Sequence, residues 1–380
     1  MGIFTSLDSN ESKIMLLQLC KPHRRFLSII NSKLLQKSSS NADKYTKQIK
    51  TQIRRDMKKM GWSFVQRAKL ATTIQFHTDT PNIPHLPKLV KYLLDILCAE
   101  IYADDMQIEY LTACCYRPSN QVNNIQNNKD LIFIKVERLT DFKQKFLLFT
   151  KLIHKTEFLD YMKYHHHSFL FRDEDSDDIE KLWPDEETAS LLNLPSETVQ
   201  EWHQMIRMQN QQKLLSINKL NTCDWPQGPK DFSYQLQQNW SDLNPFIFSM
   251  EGLPTKGGKA KYKRRLRAKL RELNKKFPFF GKIIAPLELD VQISPQNGVL
   301  KKDLDNIMLD ISNVFSEELL ENGSYLHGYR IYIVKNQKNI PAVTSVRFKL
   351  LPFHEINNFN RLIDDVLNLG VKWLKENIWD

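Results

Sequence analysis

The chain has 380 residues, of which 41% are hydrophobic and 11% aromatic, enough to build more than one globular core. No apolar run approaches the roughly 18–20 residues that cross a bilayer, which excludes a membrane-spanning protein. The five cysteines are odd in number and lack C-x-x-C spacing, so we expect a reduced, cytoplasmic protein without a zinc site.

Positive charge is concentrated in one segment of this chain of net charge +10. Between Lys256 and Lys276, eleven Lys or Arg residues accompany the single acid Glu272, whereas residues 173–187 hold nine acids and one lysine. So many like charges in a short segment repel each other unless a polyanion is near. The pattern therefore favours a nucleic-acid partner over a merely solvated helix face.

The N-terminal half shows a helix, a strand and a second helix. Basic residues, a tyrosine and aliphatic residues are spaced over 44–54 as in a basic helix. A strand is predicted over 71–77 and a helix from 85 to 94. Residues 107–111 alternate as a further strand, directly after the adjacent acids Asp104 and Asp105. These two acids suit either a plain turn or a metal site.

The middle of the chain is acidic, and residues 186–202 resemble a helix-turn-helix. Ala189 is small where two helices would cross, Asn193 tolerates a left-handed turn, and Ser196 can cap the second helix. The exposed positions of that second helix carry little positive charge. Two interpretations stay open, a DNA-reading unit and a structural linker or partner-docking helix pair. The run His165–His167 lacks ligand spacing and suits a polar surface.

The C-terminal half begins with a short strand over 246–250 and a flexible loop over 252–258. A basic helix follows over 261–273, and an alternating strand over 286–293.

Asp303 and Asp305 then open an amphipathic helix whose apolar stripe runs to Leu319. After it, 329–334 and 344–350 alternate and are predicted to pair as a hairpin. Two carboxylates at one helix start supply hard oxygen ligands for Mg²⁺. The alternative is an aspartate N-cap beside a solvated neighbour.

The two halves repeat one layout. Residues 44–54 match residues 261–271 in the placing of bases, tyrosine and aliphatics. Tyr45 and Leu86 are 41 residues apart, and Tyr262 and Leu304 are 42 apart. We therefore expect an internal duplication, with Tyr45 and Tyr262 as core anchors rather than base-stacking platforms.

Basic residues beside these elements are the candidates for phosphate contact. They are Lys256, Lys259, Lys261, Lys263, Arg264, Arg265, Arg267, Lys301 and Lys302 in the C-terminal half, and Lys44, Lys47, Lys50 and Lys91 in the N-terminal half.

Asp303-Leu304-Asp305-Asn306, with Lys301-Lys302 before it and the amphipathic helix after it, resembles the RusA family of Holliday-junction resolvases. The N-terminal half resembles the same family through 93–97 and 101–109, which look like its helix end and aspartate-pair strand. The resemblance covers roughly residues 20–118 and 245–350.

This resemblance implies metal chemistry. In the family, a D-x-D-N aspartate pair and a later aspartate from a D-D-x-Q strand bind Mg²⁺, and a small intertwined dimer cuts both sides of a four-way junction. Asp303 and Asp305 match the pair, and Asp104 or Asp105 matches the third carboxylate. The resemblance thus implies a Mg²⁺ (or Mn²⁺) site at these four residues, with catalytic roles for Asp303, Asp305 and Asp105.

Each half departs from the family pattern. Residues 85–88 replace the D-x-D-N motif in the N-terminal half, although Lys91 fits the family's helix lysine. In the C-terminal half Leu309 replaces that lysine, and 326–331 lacks the aspartate pair. Each half alone is therefore incomplete.

The expected fold class is α+β, with two RusA-like α/β repeats forming a pseudo-dimer. The repeats are expected at 1–155 and 231–380, joined by an acidic helical insert at 156–230 with its helix-turn-helix pattern at 185–208. The chain would be a monomeric pseudo-dimer or a higher homo-oligomer in the cytoplasm, associated with the nucleoid. Its expected partner is branched or double-stranded DNA, with protein partners through the insert.

Two functions remain open from the sequence. One is a Mg²⁺-dependent structure-specific endodeoxyribonuclease or nickase. The other is a catalytically inactive RusA-like scaffold that binds DNA within a recombination, mobile-element or defence complex.

Overall fold

A computed structural model describes ten main segments of the chain. They are residues 24–32, 34, 41–78, 85–116, 130–153, 246–254, 257–276, 287–320, 326–334 and 341–349, together with 14, 18, 364, 367–373 and 376. The predicted insert at 156–230, its helix-turn-helix pattern, His165–His167 and Lys256 lie outside the described residues. Within the described part, no helix is both long and apolar enough to cross a membrane.

The chain divides into two compact units that do not follow chain order. The first combines residues 21–142 with residues 246–358 and contains all eight named strands. The second combines residues 1–20, 143–245 and 359–380. The N-terminal and C-terminal halves of the sequence therefore build one unit together.

The described elements are eight strands and five α-helices, together with two short 3₁₀ helices. The strands are β1 (Arg25–Asn31), β2 (Leu70–His77), β3 (Ile108–Tyr116), β4 (Leu131–Arg138), β5 (Phe246–Glu251), β6 (Leu287–Ser294), β7 (Leu326–Ile333) and β8 (Val343–Lys349). The helices are α1 (Ala42–Met60), α2 (Leu86–Leu97), α3 (Leu139–Ile153), α4 (Lys259–Lys276) and α5 (Leu304–Glu318). The predicted mixture of helices with a sheet is confirmed.

The amphipathic pattern of α1 explains its position. Tyr45, Ile49 and Ile53 recur at helical spacing and are all buried, while the opposite face is polar. The helix ends at Gly61, whose φ of 66° is in the left-handed region that glycine adopts without strain. Tyr262 in α4 is 3% exposed, so both tyrosines are core residues, as predicted.

All eight strands form one mostly antiparallel sheet in the order β1-β4-β2-β3-β7-β6-β8-β5. The first four strands and the last four run in the same order, read outward from the centre. The pairs β2–β3 and β6–β7 are parallel, and each is connected by a helix, α2 or α5. Each parallel pair also has one register irregularity, at Leu70/Ala71 and at Leu287/Glu288.

The predicted hairpin of the last two strands is wrong. Strand β6 lies between β7 and β8, parallel to β7 and antiparallel to β8. Alternation of apolar and polar residues identifies a strand but does not identify its partner. Here α5 returns the chain for a parallel β6–β7 pair, and β8 takes the free side of β6.

Strands β3 and β7 form the seam at the centre of the sheet. They pair antiparallel, with Thr112 opposite Arg330 and Tyr110 opposite Tyr332. Helices α2 and α5 contact each other, and both contact β3 and β7. The seam thus places the start of β3 close to the start of α5.

Each half also contains the same forked ion pair. Arg54 donates from Nε and Nη2 to Glu100 at 2.8 and 2.9 Å, and Arg271 donates from the same atoms to Glu318 at the same distances. The arginines are exposed, so each pair adds little to stability. The pairs are informative because they link equivalent elements in the two halves.

Replacing Arg330 by methionine should destabilise the sheet strongly. Arg330 is fully buried and donates to both oxygens of buried Asp290 at 2.9 and 2.7 Å, so its loss leaves a carboxylate without its main partner. The expected cost is about 3–5 kcal/mol. Urea unfolding of the full chain measures it. The matched double variant Asp290→Leu/Arg330→Met should recover most of that loss. Equal stability of the single variant and the unmodified protein would contradict this role of the ion pair.

Candidate metal centre

Asp104 and Asp105 lie in a short, tightly held turn before β3. Asp104 is exposed and caps the 3₁₀ helix Asp105–Gln107, its Oδ1 accepting from the Met106 amide at 2.9 Å. The buried Gln107 side chain accepts from the amides of Ala103 and Asp104 and donates to the Ala68 carbonyl. This capping box leaves Asp105, and not Asp104, to face the protein interior.

Asp303 and Asp305 lie at the start of α5. Asp303 occupies the N-cap position but makes no capping hydrogen bond, so the simple N-cap interpretation does not describe its side chain. Its Oδ2 instead accepts from Asn306 Nδ2 at 2.9 Å. Asp305, in the first turn, is 2% exposed. The motif therefore presents one partly exposed carboxylate, fixed by its own asparagine, and one buried carboxylate.

An ion pair joins the two halves at this point. Lys91, from α2, donates to Asp305 Oδ2 at 3.1 Å across the boundary between the halves. Burial acts to lower the pKa of Lys91, but the charges of Asp305, Asp95 and Asp105 outweigh it and raise the pKa overall. Lys91 therefore remains charged beside a group of carboxylates.

Asp105 shares an electrostatic environment with both aspartates of the other half. Burial raises its pKa to about 6, and the charges of Asp305, Asp303 and Asp95 add to that rise, while a hydrogen bond with Tyr102 opposes it. The pKa of Asp305 is also raised, first by burial, although Lys91 works against the rise. The charges of Asp303 and Asp305 therefore act on Asp105 across the boundary between the halves, and we call these three residues the acidic cluster.

Two carboxylate oxygens of this cluster are buried without a hydrogen-bond partner in the described part of the chain. They are Oδ1 of Asp105 and Oδ1 of Asp305. A buried, unpartnered carboxylate oxygen is costly, and a hard cation such as Mg²⁺ or Mn²⁺ satisfies it. The donor set thus fits such an ion in kind. As the side chains stand, the described residues include no three His, Cys, Asp or Glu groups close enough to ligate one ion together.

Several of the cations predicted to contact DNA form ion pairs with an acid of α5. Lys259, Lys263 and Lys302 all pair with buried Asp310, at 2.7, 3.1 and 2.6 Å. Burial works to raise the pKa of Asp310, but hydrogen bonds from these lysines hold it below its ordinary value. This basic cluster therefore neutralises an internal carboxylate.

Other predicted cations divide into two groups. Arg267 pairs with Glu317 and Glu318, Lys50 pairs with Glu100, and Arg265 donates to the carbonyl of Glu251. The second group is exposed and forms no ion pair with other described residues. It consists of Lys44, Lys47, Lys261, Arg264 and Lys301.

Sequence reasoning missed the roles of Gln107, Asp95 and Asp310. Gln107 had a usable signal, because a glutamine three residues after an aspartate is the pattern of a capping box. Asp95 lies on the same helix face as Lys91, one turn later, which the helical period also predicts. Asp310 had no local signal, since its three lysines come from α4 and from the segment before α5.

The equivalent position in the N-terminal half is occupied by His85, at the N-cap of α2. Its Nε2 lies 3.3 Å from Ser316 Oγ on α5. Burial, helped by the nearby charge of Lys88, lowers the pKa of His85 to about 4. His85 is therefore neutral at pH 7 and does not reproduce the paired carboxylates of Asp303 and Asp305.

Comparisons of this chain with protein-family models, with curated proteins and with solved structures gave no match. The interpretation of the site consequently depends on its own residues.

Asp105→Asn should stabilise the protein at neutral pH. The folded-state pKa of about 6 lies above the ordinary 3.8, so the ionised carboxylate opposes folding above pH 6, and this penalty disappears as pH falls below about 4. We expect the variant to be more stable by about 1–2 kcal/mol at pH 7.5, less than the full shift because the side chain is partly exposed, and equal to the unmodified protein at pH 3.5. Thermal unfolding over this range measures the difference; a constant gap at every pH would contradict ionisation of Asp105 as its cause.

Divalent ions should stabilise the protein through the same carboxylates. At an Mn²⁺ concentration 100 times the dissociation constant, the expected gain is about 2.7 kcal/mol, seen as a rise in Tm. Asp105→Asn and Asp305→Asn should each abolish the rise. Asp104→Ser, which keeps a capping oxygen, is the matched control and should retain it. Loss of the rise in the control alone would instead assign the ion to Asp104.

Proposed function

We propose that this protein is a Mg²⁺- or Mn²⁺-dependent, structure-specific endodeoxyribonuclease built from two RusA-like halves, with one composite metal site. The observation that carries the proposal is the acidic cluster formed by Asp105 from one half with Asp303 and Asp305 from the other. Burial raises the pKa of Asp105, and the charges of Asp305 and Asp303 add to that rise, which is consistent with carboxylates that bind a cation.

The arrangement of the unit supports a pseudo-dimer. Both halves have the element order β-α-β-α-β-β and the same outward strand order. The β3–β7 register, the two irregularities in the parallel pairs and the two forked ion pairs also correspond between halves. In a symmetric dimer the same surface of both subunits forms the interface, and β3 with β7 has that relation here.

The residues of the site have separable roles. A bound divalent ion would supply Lewis-acid polarisation of a phosphodiester and a more acidic water. Asp105 and Asp305 would hold that ion through their unpartnered oxygens, and Asp303 would add a third carboxylate. The ion pair with Lys91 opposes the rise that burial gives to the pKa of Asp305, and Lys91 would place positive charge beside a bound phosphate. Because Asp105 must lose its proton before it ligates, ion affinity should increase as pH rises through about 6.

One site predicts one cut. The positions that correspond to Asp303, Asp305 and Lys91 in the opposite halves are His85, Pro87 and Leu309, which supply no carboxylate and no ammonium. A single incision in a branched substrate is therefore the proposed reaction, in place of paired incisions.

A second candidate is a scaffold that binds branched DNA without cutting it. The observation in its favour is the ion pair from Lys91, which already occupies Oδ2 of Asp305. In that case the cluster would serve stability and shape rather than catalysis.

Cleavage of labelled DNA tests the proposal. Four-way junction, fork and linear duplex are incubated with the full chain in Mg²⁺ or Mn²⁺, beside Asp303→Asn/Asp305→Asn and Asp105→Asn. We expect one nick in a branched substrate and a loss of at least about 100-fold in both variants, because each removes ligands for the ion.

Asp104→Ser is the matched control for these variants and should cut at close to the unmodified rate. Binding in EDTA, measured in parallel, separates ligand loss from misfolding. If unmodified protein binds the branched DNA with either ion present but leaves it intact, the nuclease proposal fails and the scaffold candidate replaces it.

A further inference from the structure

A second basic surface lies at the outer edge of the sheet, apart from the acidic cluster. It is an open groove of about 530 Å³ between β1 and α1, which we call the β1–α1 groove. Strand β1 is the last strand at this edge of the described sheet. Ile29 and Asn31 line the strand wall, and Lys44, Lys47 and Arg55 line the helix wall.

The cations of the helix wall recur at regular intervals. Lys44, Lys47 and Arg55 lie on one stripe at the helical period. Gln48 lies on the same stripe, while Thr51 donates to the Lys47 carbonyl and Gln52 donates to Asp56. From Lys44 to Arg55 this stripe is about 16 Å long. That length corresponds to four or five nucleotides at the stacked spacing of about 3.4 Å per strand.

The cations of the groove are available to a ligand. Lys44, Lys47 and Arg55 are exposed and form no ion pair with the described residues, in contrast to Lys50 and Arg54 on the same helix, which bind Glu100. Asp56 on α1 accepts hydrogen bonds from Ser28 and Gln52 and is not among the residues that line the groove. Asp43 lies beside Lys44 and reduces the local charge without neutralising it. The groove therefore has a net positive lining.

We propose that the β1–α1 groove binds the sugar-phosphate backbone of single-stranded DNA. A narrow cationic groove that follows one backbone is how proteins hold single strands without sequence preference. In a duplex the two phosphate strands are separated by grooves of about 6 and 12 Å, so only one of them can enter. Ile29, which is 64% exposed, adds an apolar surface for a base. An acidic peptide is disfavoured because the donors are long side chains on the helix, not the backbone of the edge strand.

The other end of the sheet carries a related surface. On α4, Lys261 and Arg264 occupy the positions that Lys44 and Lys47 occupy on α1, and they are likewise exposed and without ion pairs to described residues. Strand β5 is the last strand at that edge. The inference rests on the proposed function only for the source of the single strand, which would be the unpaired arm of a branched substrate. The binding itself needs no metal.

Binding of fluorescein-labelled oligo(dT) in EDTA tests the groove. The triple variant Lys44→Gln/Lys47→Gln/Arg55→Gln should bind at least about tenfold more weakly near 100 mM salt, and the slope of log K against log salt should become shallower by about 2, since three contacts at about 0.7 each are removed. The control Lys58→Gln/Lys59→Gln/Arg67→Gln loses the same charge at exposed positions outside the groove and should bind normally.

Three results would overturn the proposal. The first is unchanged oligo(dT) affinity in the groove variant, and the second is an equal loss in both triple variants, which indicates only general charge attraction. The third is displacement of oligo(dT) by polyglutamate of equal charge with equal affinity, which would assign the groove to an acidic protein. EDTA is present throughout, so failure of the nuclease proposal leaves this measurement unaffected. Conversely, normal cleavage by the groove variant would not support the groove proposal if one of these three results were obtained.

Discussion

Five residue pairs between β3 and β7 hold the two halves of the sequence in one sheet. Their antiparallel register places α2 beside α5, and it is this neighbourhood that gives Lys91 an ion pair with Asp305 and sets Asp105 in the field of Asp303 and Asp305. Without the seam, the charges of Asp303 and Asp305 would not reach Asp105. The proposed composite site thus depends on the sheet as a whole.

The two halves share the same arrangement of helices and strands and differ at their polar positions. Tyr92 on α2 hydrogen-bonds to Thr46 and to the Ala42 carbonyl. At the same place on α5, Asp310 binds Lys263 and Lys259 from α4. A neutral contact in one half is therefore replaced by a charged cluster in the other, while the helices keep the same relation. The arrangement of the helices is expected to be the same in both halves because their buried apolar residues must pack against the sheet. A polar contact can differ between the halves, since it stays stable when both of its partners are replaced together.

Much of this architecture follows from local patterns, and the failures have a common cause. Helical period and alternation predicted the main elements, and Tyr45 with Tyr262 as core anchors, because burial leaves a periodic signature in sequence. The error over β7 and β8, and the unforeseen ion pairs of Lys259, Lys263 and Lys302 with Asp310, both concern partners distant in the chain. Charge runs do not reveal which cations are already paired. Between Asp104 and Asp105, only the capping geometry set by Gln107 decides which carboxylate turns inward.

The central seam also has a kinetic consequence. The described part of β3 ends at Tyr116, and β7 begins only at Leu326. At a translation rate of about 5–20 residues per second, the ribosome needs on the order of 10–40 s to make the intervening chain. During that interval β3 has an open side, with unpaired amides and carbonyls suited to a strand from another molecule. In nascent chains on one polysome, β3 of one chain could therefore pair with a strand of a neighbouring chain. Slower folding of the first half would reduce the risk of this exchange.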